Sequence, residues 1–285
     1  MTRRKIEKLF TGGSFFEGAR WHEGRWYVSD FYQHHVLAID EQGSAEEILR
    51  VPQQPSGLGW LPDGSLIVAS MRDHKLLRRR PDGQVSVHAD VSAFCGGWLN
   101  DIVVDGLGRA WCGNFGYDHF AGEQPRTTNV IRVDLDGTAA VAASDMKFPN
   151  GSVVTPDNGT LIVGETTGGR YTAFRIADDG TLENRRVWAA LPDLVPDGCC
   201  LDAQGRIWSA DPHDSRARLL AEGGRVIEEI RTPAGMAPFA CMLGGADGKT
   251  LLLACSPPGV GAGREGKTDG CLFTTRVDVP HAGYP

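Results

Sequence analysis

Apolar and polar residues alternate along this chain in short runs, and the runs come in pairs joined by a glycine-containing turn. "EGARWHEGRWYVSD" from Glu17, "SGLGWLPDGSLIVAS" from Ser56 and "NDIVVDGLGRAWCG" from Asn100 share one frame. Each has a short polar or small residue, an apolar strand, a turn with glycine, and a second apolar strand. "NGSVVTPDNGTLIVGE" from Asn150, "DGCCLDAQGRIWSAD" from Asp197 and "ACMLGGADGKTLLLA" from Ala240 repeat it. The turn glycine (Gly24, Gly64, Gly108, Gly159, Gly205, Gly248) follows the first residue by seven to nine positions, and successive frames start 39 to 50 residues apart. That period is the length of a four-stranded propeller blade rather than of a helical repeat.

A third and a fourth strand can be read after each pair. They are "KLLRRR" and "VSVHAD" around Pro81-Asp82-Gly83, and "YTAFRIA" and "NRRVWAAL" around Asp178-Asp179-Gly180, with Asp-Gly marking the hairpins. After the sixth pair only "CLFTTRVDV" remains. The N-terminal "KIEKLFT" is therefore predicted to supply the missing outer strand, closing the ring and hiding edges that an open sheet must protect. No segment carries a long helical period. The expected architecture is all-β, a six-bladed β-propeller forming a single domain over residues 1–285.

Composition agrees: 37 glycines and 16 prolines in 285 residues, with 41% hydrophobic and 23% charged, suit many short strands. A net charge of -7 and no basic cluster larger than "LLRRRP" argue against nucleic acid as a partner. "MTRRKIEKLFTGG" lacks the apolar stretch of a signal peptide, and no 18-residue apolar run occurs, so no membrane association is expected and the location expected is cytoplasmic. Seven cysteines, an odd number without a C-x-x-C pair, read as reduced, buried thiols.

In a propeller the innermost strand of every blade begins at one face, beside the central channel. Glu17, Ser56, Asn100, Asn150, Asp197 and Ala240 are thus expected to ring one mouth of that channel. Glu17, Asn100, Asn150 and Asp197 offer hard oxygen donors, without thiolate or imidazole, which suits a hard divalent cation, calcium first and magnesium or manganese next. The competing reading is that these residues cap loop backbone, as Asn and Asp commonly do. A metal there would polarise a carbonyl and lower the pKa of a bound water. The chemistry expected is metal-assisted hydrolysis of an ester or lactone, with Asp197 as base or water holder. Phosphotriester or other activated-ester hydrolysis on the same site is the alternative enzyme reading, and a ligand-binding propeller with a structural ion is the non-catalytic one.

The loops on the same face are 30–34, 71–74, 114–126, 165–170, 211–216 and 256–269. They bring Tyr32, His34, His74, His119, His213 and Glu165 as candidate substrate contacts, with His119 and His213 foremost, although a lone loop histidine is more often simply solvated and a surface salt bridge is an equal reading for Glu165. Loop 114–126 is a candidate lid. "GVGAG" (259–263) neither follows a βαβ strand nor opens a helix, so it is not a dinucleotide site, and "SDMK" (144–147) has no helix to present its serine.

The motifs "FFEGARW", "WLNDIVVDGLGRAWCGNFG", "FPNGSVVTPDNGTL" and "VPDGCCLDAQGRIWSAD" resemble the senescence marker protein, gluconolactonase and luciferin-regenerating enzyme family across nearly the full length. The resemblance implies a six-bladed propeller with one divalent metal above the channel, calcium foremost, with zinc, manganese, magnesium or ferrous iron as the others, and hydrolysis of a small-molecule lactone. It implies metal ligation by Glu17, Asn150 and Asp197, a base role for Asp197, and a metal-adjacent or substrate-binding role for Asn100. Ser56 completes the ring as a further substrate contact. Two positions depart from the family pattern. Gly18-Ala19 follows the glutamate where a small residue and proline are usual. Trp98 stands where sugar-lactone members carry an arginine, so this substrate-contacting position points to a flatter or less polar substrate.

Overall fold

The computed structural model describes residues 4–283. Its strands form six four-stranded antiparallel sheets, and the only helical segments among the described residues are three short 3-10 turns. The inner strands are Phe16–His22, Pro55–Trp60, Leu99–Val104, Pro149–Val154, Cys199–Leu201 and Ala237–Gly244. Five blades take their strands in chain order from inside to outside. The sixth ends on Glu7–Gly13, which pairs antiparallel with Gly270–Arg276 from Glu7 opposite Thr274 to Gly13 opposite Gly270. The chain's beginning therefore completes its last blade, as the strand count predicts, and locks the ring.

Burial follows position in the blade. Leu99–Val104 and Pro149–Val154 are buried at every residue because both faces of an inner strand pack on neighbouring blades. Outer strands such as Ala45–Arg50 and Val85–Asp90 are mostly exposed and carry the polar residues. Trp26, Trp111 and Trp208, at equivalent places near the start of second strands, are each 1% exposed and fill the wedges between blades.

Close packing round the channel depends on glycine. A Cβ on Gly57 would run into the Ile102 amide, one on Gly151 into the Asp197 carbonyl, and one on Gly198 into Ala240. These three inner strands are thus each laid against the next without a side chain between them. Gly151→Ala is expected to destabilise the fold by about 1–3 kcal/mol through this overpacking and to displace Asp197. Urea unfolding reads the first effect. A substitution without cost would mean that the strands are spaced more widely.

Strand register corrects one position of the expected ring. Ala237 pairs with Ser256 as Pro149 pairs with Glu165, and Ala240 pairs with Ala254 as Ser152 pairs with Val163. Pro238, not Ala240, is therefore the counterpart of Asn150. The cause is strand length. Ala237–Gly244 has 8 residues where Pro149–Val154 has 6, so counting back from the turn glycine stops two residues late.

Candidate functional site

Glu17, Ser56, Asn100 and Asn150 are each the second residue of an inner strand, and Asp197 stands just ahead of Cys199–Leu201. All five are buried at the channel mouth, the four candidate donors at 5 to 8% exposure. The fold brings them together by repetition: the same place in successive blades faces the same axis.

Hydrogen bonds tie the ring across blades. Asn150 Nδ2 donates to Thr166 Oγ1 at 3.1 Å, and the Asn150 side chain also bonds Asp197. The Thr166 hydroxyl in turn donates to the Pro196 carbonyl at 2.8 Å, fixing the residue before Asp197. Asn100 Nδ2 reaches the Pro149 carbonyl of the next blade at 3.4 Å.

A third carboxylate joins them. Asp101 is 4% exposed, and its charge acts on both Glu17 and Asp197. Its Oδ1 accepts from the Ile102 amide at 2.9 Å and from Arg20 Nη2 at 3.2 Å. Arg20, 3% exposed, also donates to the carbonyls of Ala19 and Ile102. Sequence reasoning passed over both residues because they look like ordinary strand positions. The signal lay in a bulge: the pairing slips between Leu99 and Ile102, so Asn100 and Asp101 need not face opposite sides as alternation demands.

Three buried carboxyls thus lie near one guanidinium, a surplus of two negative charges when all three are ionised. Burial, followed by the charges of Asp197 and Asp101, drives the Glu17 carboxyl well above the usual carboxylate range. Burial likewise pushes Asp197 up to about 8, opposed by its bond to Asn150 and reinforced by Asp101. Among the described residues no group of three or more His, Cys, Asp or Glu side chains is arranged to hold an ion. The donor set here mixes two carboxylates with amide oxygens, and its charge surplus equals the charge of a divalent cation, so Glu17, Asn150 and Asp197 fit such an ion.

The loop candidates fare differently. Glu165, fully buried, has its carboxylate paired with Arg170 and bonded by Thr172 and the Lys147 amide, so it braces its own blade. His213 is exposed on the 212–215 turn. His119 is packed edge-on against Phe115, Phe120 and Phe148, within 6 Å of each ring centre, and burial lowers its pKa. Tyr32 accepts a hydrogen bond from the Gly261 amide at 2.6 Å. A Cβ on Gly261 would lie 3.7 Å from Phe120. The two long loops, 115–127 and 257–269, therefore approach each other.

Above the ring stand two tiers of side chains. Phe15, Gln54, Trp98 and Phe148 each precede the inner strand by one residue, and their carbonyls accept from the amides of Phe31, Met71, Phe115 and Thr166 respectively, at 2.8 to 3.0 Å. Thr166 touches Asn150, which shows how close this second tier comes to the ring.

Known proteins share this fold. The profile of the SMP-30/Gluconolactonase/LRE-like region matches residues 15–256. The chain is 29% identical over 274 residues to a 6-deoxy-6-sulfogluconolactonase of Pseudomonas putida, covering 91% of this chain and 89% of that protein. It is 28% identical over 291 residues to a pentonolactonase of Haloferax volcanii, covering 94% and 92%. Among solved structures, a calcium-binding regucalcin from Agrobacterium tumefaciens superposes with a TM-score of 0.83 at 19% identity, covering 100% of this chain and 99% of that one. The chain belongs to the senescence marker protein, gluconolactonase and luciferin-regenerating enzyme family, a gluconolactonase-like group of six-bladed propellers.

Proposed function

We propose that the protein is a divalent-metal-dependent lactonase, with calcium the first candidate for the ion. The observation that carries this reading is the crowding of buried carboxyls at the channel mouth: Glu17, Asp101 and Asp197 lie close enough that the charge of Asp101 raises the pKa of the other two, and Arg20 pairs with Asp101. Glu17, Asn150 and Asp197 would hold the cation. When bound, it supplies Lewis-acid polarisation of the lactone carbonyl and a lowered pKa for water.

The remaining work falls to the chain itself. Asp197 accepts the proton of the attacking water at its carboxylate oxygen. As the water oxygen bonds the carbonyl carbon, the ring C–O bond breaks, and the proton passes to the departing alkoxide to give a hydroxy acid. Asn150 and Thr166 hold Asp197 in place, while Asn100 orients the substrate. The two long loops that approach each other exclude bulk water. The lactones named for two relatives and the calcium named for a third support this reading. Seven unpaired cysteines fit a reducing compartment, so we place the enzyme in the cytoplasm; no helix of the described residues is long and apolar enough to cross a membrane.

The test is acid release from δ-valerolactone and D-glucono-δ-lactone with and without chelator. Chelation should slow turnover at least about a hundredfold, on the scale of losing one strong transition-state contact. Equal turnover in chelator would remove the metal from the mechanism.

A further inference from the structure

On four of the six blades the wall above the ring is mostly apolar. Phe15, Trp98 and Phe148 occupy three of the four first-tier places described above, and Phe31, Met71 and Phe115 three of the four in the second. Phe115 stacks on Phe148 with ring centres 4.5 Å apart, and Phe15 lies 4.4 Å from Phe239. All of these except Trp98 are buried, and they form one continuous cluster.

The two polar members are already engaged. Gln54 accepts from Arg72 Nε at its side-chain oxygen, and Thr166 bonds both Asn150 and the Pro196 carbonyl. Arg72 itself lies over the Trp98 ring at 4.9 Å, so this cation supports the indole from outside. His119 stands edge-on to Phe148 at the same wall. Phe120 closes the other side, 4.4 Å from Trp98, with the 257–269 loop reaching to it through Gly261.

We propose that this collar selects lactones fused to, or carrying, a planar apolar group, an aryl lactone being the type case. The inference rests on the lactonase reading above and departs from the sugar lactones named for the two relatives. A sugar lactone brings several hydroxyls, and each must find a partner or lose its water bonds unreplaced. This wall leaves few partners free. A planar apolar ring instead gains contact with the partly exposed faces of Trp98 and Phe120, which the buried cluster backs, while its carbonyl reaches down to the ring of donors.

The test compares kcat/KM for 3,4-dihydrocoumarin and D-glucono-δ-lactone, using the full chain supplied with calcium. It also measures equilibrium binding of unreactive coumarin by tryptophan quenching and dialysis. The aryl lactone should be favoured at least about tenfold. Trp98→Gln, at a half-buried position on the edge of the packed cluster, should lower that preference about tenfold and weaken coumarin binding in step. A preference for gluconolactone, equal losses on both lactones in Trp98→Gln, or absence of coumarin binding would overturn the proposal. Coumarin bound through Trp98 with neither lactone turned over would uphold the collar and overturn the hydrolase reading instead.

Discussion

Asp197→Ala is expected to lower kcat/KM on any accepted lactone by about 10²–10⁴-fold, the range for a positioned base, and by more if the cation is lost with it, while circular dichroism stays that of the parent. The side chain is buried, bonded to Asn150 and not part of the apolar core, so its removal leaves the blades intact. Metal-free stability should even improve at neutral pH. Asp197 titrates at about 8 when folded, far above its ordinary value near 3.9. The folded state therefore holds the proton more tightly than the unfolded state. Its contribution is full below about pH 4 and disappears as pH rises toward about 8. Chelated parent protein should accordingly melt lower at pH 8 than at pH 5, and Asp197→Ala should flatten that slope. A parent melting profile independent of pH in chelator would contradict the buried charge surplus. Full activity in the variant would remove Asp197 from catalysis.

Arg20→Met should be the most destabilising single change at the site. The guanidinium is 3% exposed and is the charge partner of Asp101, itself 4% exposed. Its loss leaves three buried carboxylates without a fixed cation, and breaking a buried pair on one side costs about 3–5 kcal/mol. In a chain of this size that lowers the melting temperature by roughly 10 °C. The same change makes the site more negative, so calcium should stabilise Arg20→Met more than it stabilises the parent. Thermal unfolding in chelator and in calcium measures both effects. Equal calcium shifts in the two proteins would mean that the ion binds away from the Asp101 side of the ring.

Blade number, the closing role of the N-terminal strand and the places of Glu17, Asn100, Asn150 and Asp197 were legible because repetition carries them. A turn glycine recurs in every blade and a polar ring residue in five of the six, and each recurrence checks the others. Where a blade departs from the average the pattern misleads, as at Ala240, whose strand is two residues longer than that of Asn150. Asp101 and Arg20 were hidden for a different reason. A bulge follows the ring position, and alternation cannot say where residues point once the register has slipped. Glu165 shows a different limit, since a carboxylate at a strand end beside the mouth reads equally as a ligand contact or a salt bridge until Arg170, Thr172 and the Lys147 amide are seen to bond it. The aromatic collar was visible only at Trp98, because its other members come from separate blades and meet only in the folded ring.

The most direct test of a cation-holding catalytic ring is calorimetric titration of metal-stripped protein with calcium, run in parallel with lactone turnover on the same samples. One equivalent should bind and restore activity in the parent, and Asn150→Ala should lose both together. Full turnover in chelator, or calcium binding that persists unchanged in Asn150→Ala, would contradict it.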